Sequence, residues 1–335
     1  VPIDAVSDYW NRRPCNIRHS PLPVGTREYF DQVEERKYLV EPHIPGFAEF
    51  ARWKGKKVLE IGCGLGTDTI NFARAGALVT AVDLSEESLK LAKQRAQVMG
   101  VADRIKFYRA NAEQLTSVVP HDTYDLVYSF GVIHHTPHPG AVLEQIRTFV
   151  GPQSTFKMMV YYRYSWKVLW IMLRHGGANF ARTAEWVAKY SEAQTGCPVT
   201  YIYSKAEGRK FLADHGFETT ETLVDHVFPY KIEEYKQYRY QKVWYFRWIP
   251  RPLFRAFERC FGWHLCLTAR PVGPSTDRWH AFAGSAGTCG QWPNGARPQD
   301  RAGNVQASLR IRCRAVHWAS LQWPATIHGV SRCGT

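Results

Sequence analysis

Two acids and three glycines are the residues of this 335-residue chain best placed to build a ligand site, in the order Glu60-x-Gly62-x-Gly64-x-Gly66 and then Asp83. Glycine tolerates positive φ and lets a ligand approach the backbone closely, so the cluster predicts a binding turn. An acid about 20 residues beyond the first glycine can accept both hydroxyls of a ribose. The pyrophosphate-binding pattern is Gly-x-Gly-x-x-Gly, and Thr67 stands here where its third glycine belongs. Glu60, two residues before the first glycine, would repel a pyrophosphate and suits a cationic ligand end. No Gly-Lys-Ser/Thr follows, which excludes a Walker-type phosphate loop.

Regular elements must hold these residues in place. Residues 57–61 form a short apolar run bounded by Gly55 and Gly62, which predicts a buried strand. A helix over 67–75 with Thr67 as its cap should follow, offering unpaired N–H groups at its start. Residues 77–82 predict a second strand ending in Asp83, and Ser85 a cap for the next helix. Residues 124–129 predict a further buried strand, whose C-terminal end should face the ligand crevice of an open α/β sheet. A fifth strand over 155–160, a helix over 205–215 and strands over 217–225 and 263–269 complete the expected set.

Four segments together resemble the successive motifs of class I S-adenosylmethionine-dependent methyltransferases: 58–66 (VLEIGCGLG), 82–85 (VDLS), 111–113 (NAE) and 124–135 (YDLVYSFGVIHH). They are most similar to the small-molecule branch that includes the ubiquinone and menaquinone C-methylases. The resemblance is strong over about 50–160 and loose over 205–270. It implies a doubly wound, mostly parallel seven-stranded α/β sheet with helices on both faces and a helical, aromatic cap. It also implies S-adenosylmethionine as cofactor and S-adenosylhomocysteine as product. Glu60 with Gly62, Cys63, Gly64 and Gly66 should hold the methionine portion, Asp83 and Leu84 the ribose, and Asn111, Ala112 and Glu113 the adenine. The family usually carries an aspartate where this chain has Asn111, whose amide oxygen can still accept the adenine amino hydrogen bond. Ser129 and Phe130 should complete the cofactor site, with Tyr9 or Trp10 as a lid.

The rim after residue 130 lacks the Asn/Asp-Pro-Pro-Tyr/Phe signature of nucleobase and glutamine amine methylation, and it carries no nucleophilic cysteine. His134 and His135 stand there instead, either as a general base or as packing residues that cap the next element. Tyr162 joins them as a candidate catalytic residue, and Tyr161 or Tyr162 could stack on substrate or cradle the sulfonium. Arg12, Arg18 and His19 are candidates for greeting an anionic substrate group, and the loop 37–45 for contributing Glu41 or His43.

The expected organisation is an N-terminal lid (1–50), a cofactor-binding core (51–160), a cap insertion (161–204), the rest of the sheet (205–270) and a tail (271–335). The tail has no Lys, Glu or Tyr but four Trp and three Cys, and shows no sustained periodicity. It reads as appended non-native sequence, or else as a small Cys/Trp-rich module. Aromatic and basic residues interleave over 230–251. Three readings stay open: a helical lid with snorkelling cations, a membrane-surface face for a lipid-linked acceptor, or a nucleic-acid surface. The first is favoured, and the nucleic-acid reading would need an added recognition domain, of which the sequence gives no sign.

The net charge of +13 is spread along the chain, the tail contributing seven arginines against two aspartates, which weakens a polyanion-binding reading. The eight cysteines form no Cys-x-x-Cys pair, and no metal site is expected. No run reaches the roughly 18 apolar residues of a membrane span, and the first residues show no signal-peptide pattern. A cytoplasmic protein that methylates a small-molecule or lipid-linked acceptor is expected, with peripheral membrane contact as one option and nucleic acid not the expected partner; the alternatives are an RNA-modifying methyltransferase and a non-catalytic S-adenosylmethionine-binding protein.

Overall fold

The computed structural model describes residues 1–176, 179–191 and 197–273. The chain opens with α1 (Ile3–Arg12), α2 (Arg27–Val40) and the short α3 (Ile44–Ala48). Strands and helices then alternate through β1 (Lys57–Ile61), α4 (Thr67–Arg74), β2 (Leu78–Asp83) and α5 (Glu86–Val98). β3 (Ile105–Arg109), β4 (Tyr124–Phe130), α6 (Pro139–Arg147) and β5 (Val150–Tyr162) follow. An excursion carrying α7 (Trp166–His175) and α8 (Thr183–Tyr190) returns at β6 (Ile202–Tyr203), ahead of α9 (Lys205–Asp214) and β7 (Phe217–Asp225). Finally α10 (Ile232–Lys236), α11 (Trp244–Arg247) and α12 (Arg251–Phe261) lead into β8 (His264–Pro271).

The sheet runs β3-β2-β1-β4-β5-β8-β7, with β6 pairing only to β5. β8 is antiparallel to both its neighbours, and all other pairs are parallel. Among the described residues the six strands placed from sequence are present, β3 supplies the seventh that the resemblance implied, and the two-residue β6 adds an eighth. Connection order reverses between β1 and β4, the place where open α/β sheets bind ligands beyond their strand ends.

Both sheet faces are buried, so successive strand residues enter different cores. Val58, Leu126, Met159 and Tyr161 pack with Tyr29, Phe30 and Val33 of α2 on one face. Leu59, Val127, Met158, Val160 and Tyr162 pack with α6 residues Val142, Leu143 and Ile146 on the other. The segment 1–50 therefore contributes core as well as cover. Arg95 of α5 is fully buried and donates to Thr67 Oγ1 (2.6 Å), the Phe30 carbonyl (3.1 Å) and Glu34 (2.9 Å). It thereby ties α2 and α5 to the start of α4.

Local details correct the sequence reading. α4 begins after Gly66, whose φ of 72° serves as the cap, and Thr67 is the first helical residue instead of the cap. Glycine takes that left-handed position without the penalty a side chain would meet. Ser85 does cap α5, its hydroxyl accepting from the Ser88 N–H. β5 starts five residues earlier than expected, at Val150.

The interleaved aromatic-basic stretch folds partly onto α2. The Arg36 guanidinium lies 3.9 Å from the Tyr235 ring centroid and 4.3 Å from that of Tyr238. Trp244, Trp248, Leu253 and Phe261 of α11, α12 and their junction are exposed, Trp248 to 77%. Among the described residues no helix is long and apolar enough to cross a membrane. The expected tail lies outside the described residues from position 274 onward.

Candidate functional site

A cleft of ≈ 330 Å³ opens at the C-terminal ends of β1, β2 and β4. Ile61, Gly62, Cys63, Gly64 and Leu65 form its floor, with Val82, Asp83 and Leu84 beside them. Asn111 and Ala112 line it further along, then Phe130, Gly131, Val132 and His135. α1 closes one wall with Ile3, Val6 and Trp10.

The turn after β1 needs its glycines. Gly62 and Gly64 have φ of 80° and 53°. A Cβ on Gly62 would sit 2.1 Å from Val132 Cγ2, so Gly62→Ala combines overpacking with a left-handed backbone. It is expected to destabilise the fold by about 2–3 kcal/mol, read as a lowered midpoint of thermal or urea unfolding. A midpoint equal to that of the native chain would show that this close approach is not required.

Asp83 is held by backbone donors. Its two carboxylate oxygens accept the N–H groups of Gly64 and Ser85, each at 2.8 Å. Burial pushes its carboxyl up, opposed by the N–H groups of Ser85, Gly64 and Leu84. Each oxygen keeps a second lone pair for a ligand hydroxyl. Asn111 lines the cleft while its side-chain oxygen accepts the Glu113 N–H at 3.0 Å. Glu113 itself turns away and accepts the His138 N–H at 2.8 Å.

Glu60 lies behind the turn and does not line the cleft. It is buried, accepts the Thr69 hydroxyl, and has its carboxyl raised to about 8 by burial and then by the Asp68 charge. Asp68 is satisfied by Lys37 Nζ (2.8 Å), the Tyr38 hydroxyl (2.9 Å) and the Tyr128 hydroxyl (3.1 Å). Lys37 lines the cleft, and its ammonium is held up by Asp68 against the effect of burial. The acid expected to be an open cationic grip is thus a buried carboxyl.

The two histidines after β4 differ sharply. His135 lines the cleft, with Nδ1 2.8 Å from the Val199 carbonyl and Nε2 3.4 Å from the Tyr161 hydroxyl. A carbonyl only accepts, so Nδ1 carries the proton and the Nε2 lone pair accepts from the Tyr161 hydroxyl. His134 is fully buried, its ring nitrogens have no hydrogen-bond partner, and burial keeps it neutral. It packs against Tyr161, with ring centroids 3.9 Å apart.

Several expected residues lie elsewhere. Adjacent residues of a strand face opposite ways, so Tyr161 enters the cleft while Tyr162 goes to the other core. Trp10 lines the cleft, but Tyr9 does not, and Arg12 and Arg18 are exposed away from it. His19 packs under Tyr235, and burial first, then Arg36 and Lys37, lowers it to about 3. It stays neutral and is no anion ligand. Ser129 is fully buried and its hydroxyl has no partner among the described residues, and Gly66 does not line the cleft. His43 sits one layer back, its Nε2 3.0 Å from Nδ1 of His264.

The residues that sequence reasoning missed come from distant segments: Cys15, Asn16, Lys37, Met159, Lys167, His226, Trp263 and His264 all line the cleft. Trp263 and His264 were legible only as the start of a strand. Their place beside Tyr161 comes from the β5–β8 register, which sets Tyr161 opposite His264.

Residues 53–216 match the family model described as "Methyltransferase domain". Over 98 residues the chain is 39% identical to the ubiquinone biosynthesis O-methyltransferase of Aeromonas salmonicida (strain A449), covering 29% of this chain and 40% of that protein. The protein of the same name from Azotobacter vinelandii (strain DJ / ATCC BAA-1303) is 34% identical over 143 residues, covering 41% and 60%. The chain thus spans roughly half the length of these relatives. Two solved structures share the fold. One is the magnesium protoporphyrin IX methyltransferase of Synechocystis PCC 6803 with bound S-adenosylhomocysteine, at 18% identity and TM-score 0.51 over 81% of this chain and 100% of that one. The other is the geranyl diphosphate C-methyltransferase of Streptomyces coelicolor A3(2), at 13% and 0.52 over 80% and 98%. Residues 53–216 thus match a methyltransferase-domain model, and the strand order is that of the fold these S-adenosylmethionine-dependent methyltransferases share.

Proposed function

We propose that this chain transfers a methyl group from S-adenosylmethionine to a hydroxyl of a small or lipid-linked acceptor. One observation carries the reading: the Gly62–Gly64 turn, Asp83, Asn111 and Phe130 converge on a single cleft at the sheet's switch point. The residues fit the cofactor, since Asp83 retains acceptors for a ribose and Asn111 sits where an adenine edge would reach it. Bound there, S-adenosylmethionine would supply an electrophilic methyl group on a sulfonium. The chain's own contribution is positioning, with His135 Nε2 placed to take the acceptor's proton. The O-methyltransferase name carried by the curated relatives supports oxygen as the acceptor atom. The exposed Trp244, Trp248, Leu253 and Phe261 favour a lipid-linked acceptor.

The test is transfer of labelled methyl from S-adenosylmethionine to hydroxylated aromatic acceptors with and without a polyprenyl tail, in the presence and absence of vesicles. Label in the acceptor is the expected result. Cofactor binding with no transfer to any hydroxyl acceptor would refute the oxygen-directed reading.

Glu60 gives this function a pH signature. A cationic ligand end favours the ionised carboxylate, so below its raised value of about 8 ligand binding must expel a proton. Affinity for S-adenosylmethionine should therefore rise with pH, by up to about tenfold per unit between about pH 6 and 7.5. Adenosine, which has no cationic end, should show no such rise, and Glu60→Gln should flatten it. Stability runs the opposite way. The carboxyl is raised in the fold, so its contribution is complete below the ordinary carboxylate range and is lost as pH climbs toward about 8. Parallel pH profiles for the native chain and Glu60→Gln would remove Glu60 from both effects.

A further inference from the structure

No spacing along the chain suggested a metal, yet the fold gathers three ligand-bearing side chains at one end of the cleft. We propose that Glu41, His226 and His264 bind one divalent transition-metal ion of the zinc class, facing the acceptor end of the cleft. Glu41 follows α2, His226 follows β7, and His264 opens β8. One ligand atom from each lies within 4.8 Å of the others, and all three residues line the cleft.

The hydrogen bonds around the two imidazoles leave the right atoms free. His226 turns its ring toward the Val40 carbonyl, which favours a proton on the nitrogen facing it and leaves the lone pair on the other. His264 faces His43 through Nδ1 at 3.0 Å and Glu41 through Nε2 at 3.6 Å. His43 in turn points its own Nδ1 at Asp225, 4.0 Å away, and Arg255 holds that carboxylate at 2.8 Å. Asp225 favours a proton on His43 Nδ1, so His43 Nε2 accepts from His264 Nδ1–H. The lone pair of His264 is then left on Nε2, toward Glu41. An acid–histidine relay behind a ligating histidine is the arrangement that fixes tautomer and ring direction at metal sites.

The backbone is shaped to bring these rings together. His226 has a φ of 72°, a left-handed position that a side-chain-bearing residue seldom takes. Gly262 passes so close to the Asp225 carbonyl that a Cβ would meet it at 2.1 Å. The His226 and His264 rings consequently stack with centroids 4.5 Å apart. Bonds of about 2.0–2.1 Å in a tetrahedron need ligand atoms about 3.3 Å apart, so the set must contract on binding. Glu41, partly exposed and outside the helix, can supply that movement. Two imidazoles and one carboxylate leave a position for an outside ligand, as in open zinc sites. Taken together with the proposed methyl transfer, on which this extension rests, the substrate class is an acceptor that offers an ionisable hydroxyl oxygen to the ion.

The full-length chain, stripped with a chelator and desalted, is titrated with Zn²⁺ against a competing indicator, and bound metal is counted by mass spectrometry. The expected result is one equivalent more in the native chain than in the His226→Ala/His264→Ala double variant, with Glu41→Gln at least about tenfold weaker. Co²⁺ should give ligand-field bands that the double variant lacks. His43 is a positioning residue: His43→Ala should weaken the ion about 10–100-fold, and His43→Gln, which keeps an acceptor, should recover part of that. S-adenosylhomocysteine affinity, measured on the same samples, reports whether each variant is folded. Equal zinc content and affinity in native and double-variant chains that both bind S-adenosylhomocysteine would overturn the proposal. Failure of every sample to bind S-adenosylhomocysteine would instead strike the methyl-transfer reading and leave the metal result standing.

Discussion

His135→Gln is expected to lower kcat by roughly 10²–10⁴ while leaving the cofactor Kd within about threefold. The expectation rests on orientation. The Val199 carbonyl holds the Nδ1 proton at 2.8 Å, with the Thr200 hydroxyl 3.3 Å from the same nitrogen. Nε2 is thereby presented as a base toward the Tyr161 hydroxyl and the acceptor end of the cleft. Glutamine keeps comparable bulk and polar groups but cannot take a proton near neutral pH. If His135 only packs against Trp10, whose ring centroid is 5.6 Å away, the loss should fall within tenfold and appear in binding as much as in kcat. Single-turnover kinetics at saturating cofactor separates the two, and a small loss would remove His135 as the base. His134 is no substitute, because its ring is sealed from the cleft and kept neutral by burial.

Asp83→Ala should weaken S-adenosylmethionine binding by roughly two to four powers of ten. Hydrogen bonds to a charged acceptor contribute about 1.5–3 kcal/mol each, and a ribose offers two. The same side chain also steadies the loop by accepting from Gly64 and Ser85, so part of the loss comes from a turn no longer held in shape. Asp83→Asn keeps one acceptor and should fall between the native chain and the alanine variant. Both variants should still unfold cooperatively, since the apolar cores on either side of the sheet do not depend on this carboxylate. Calorimetric titration with S-adenosylhomocysteine gives the answer directly, and an unchanged Kd would rule out the ribose role.

Local signals served the fold well. Apolar runs bounded by glycine located β1, β2, β4 and β8 within a few residues, because a strand buried on both faces leaves a continuous apolar record. Ser85 was readable as a cap for the same reason of locality, whereas Thr67 misled because Gly66, one step earlier, takes the left-handed position itself. The cofactor half of the cleft was also legible, since Gly62 to Asp83 are joined by one strand–turn–helix–strand unit. The acceptor half was not. Tyr161 and Tyr162 are indistinguishable by type, and only the parity of β5 against its neighbours sends one into the cleft and the other away. His226 and His264 meet through the pairing of β8 with β7, and Glu41 reaches them from the end of α2, an arrangement that no short window contains. The state of Glu60 was equally hidden, because it depends on how deeply the fold buries it beside Asp68.

The pairing of Tyr161 with Ile202 has a consequence for how this enzyme scaffold could diversify. It closes the segment 163–201 at one point of the sheet, so that segment leaves and rejoins the scaffold at neighbouring positions. Chain-closure entropy grows only logarithmically with length, about 0.6 kcal/mol per doubling, so lengthening the segment would barely burden the sheet as long as Val168, Ile171, Met172 and Val187, which are buried in the core, are kept. Its last residues are different in kind, for the Val199 carbonyl steers the His135 ring and the Tyr201 N–H binds the His134 carbonyl. A graft that keeps those core residues and positions 199–201 would retune acceptor choice, and one that replaces 199–201 would reset the base along with it.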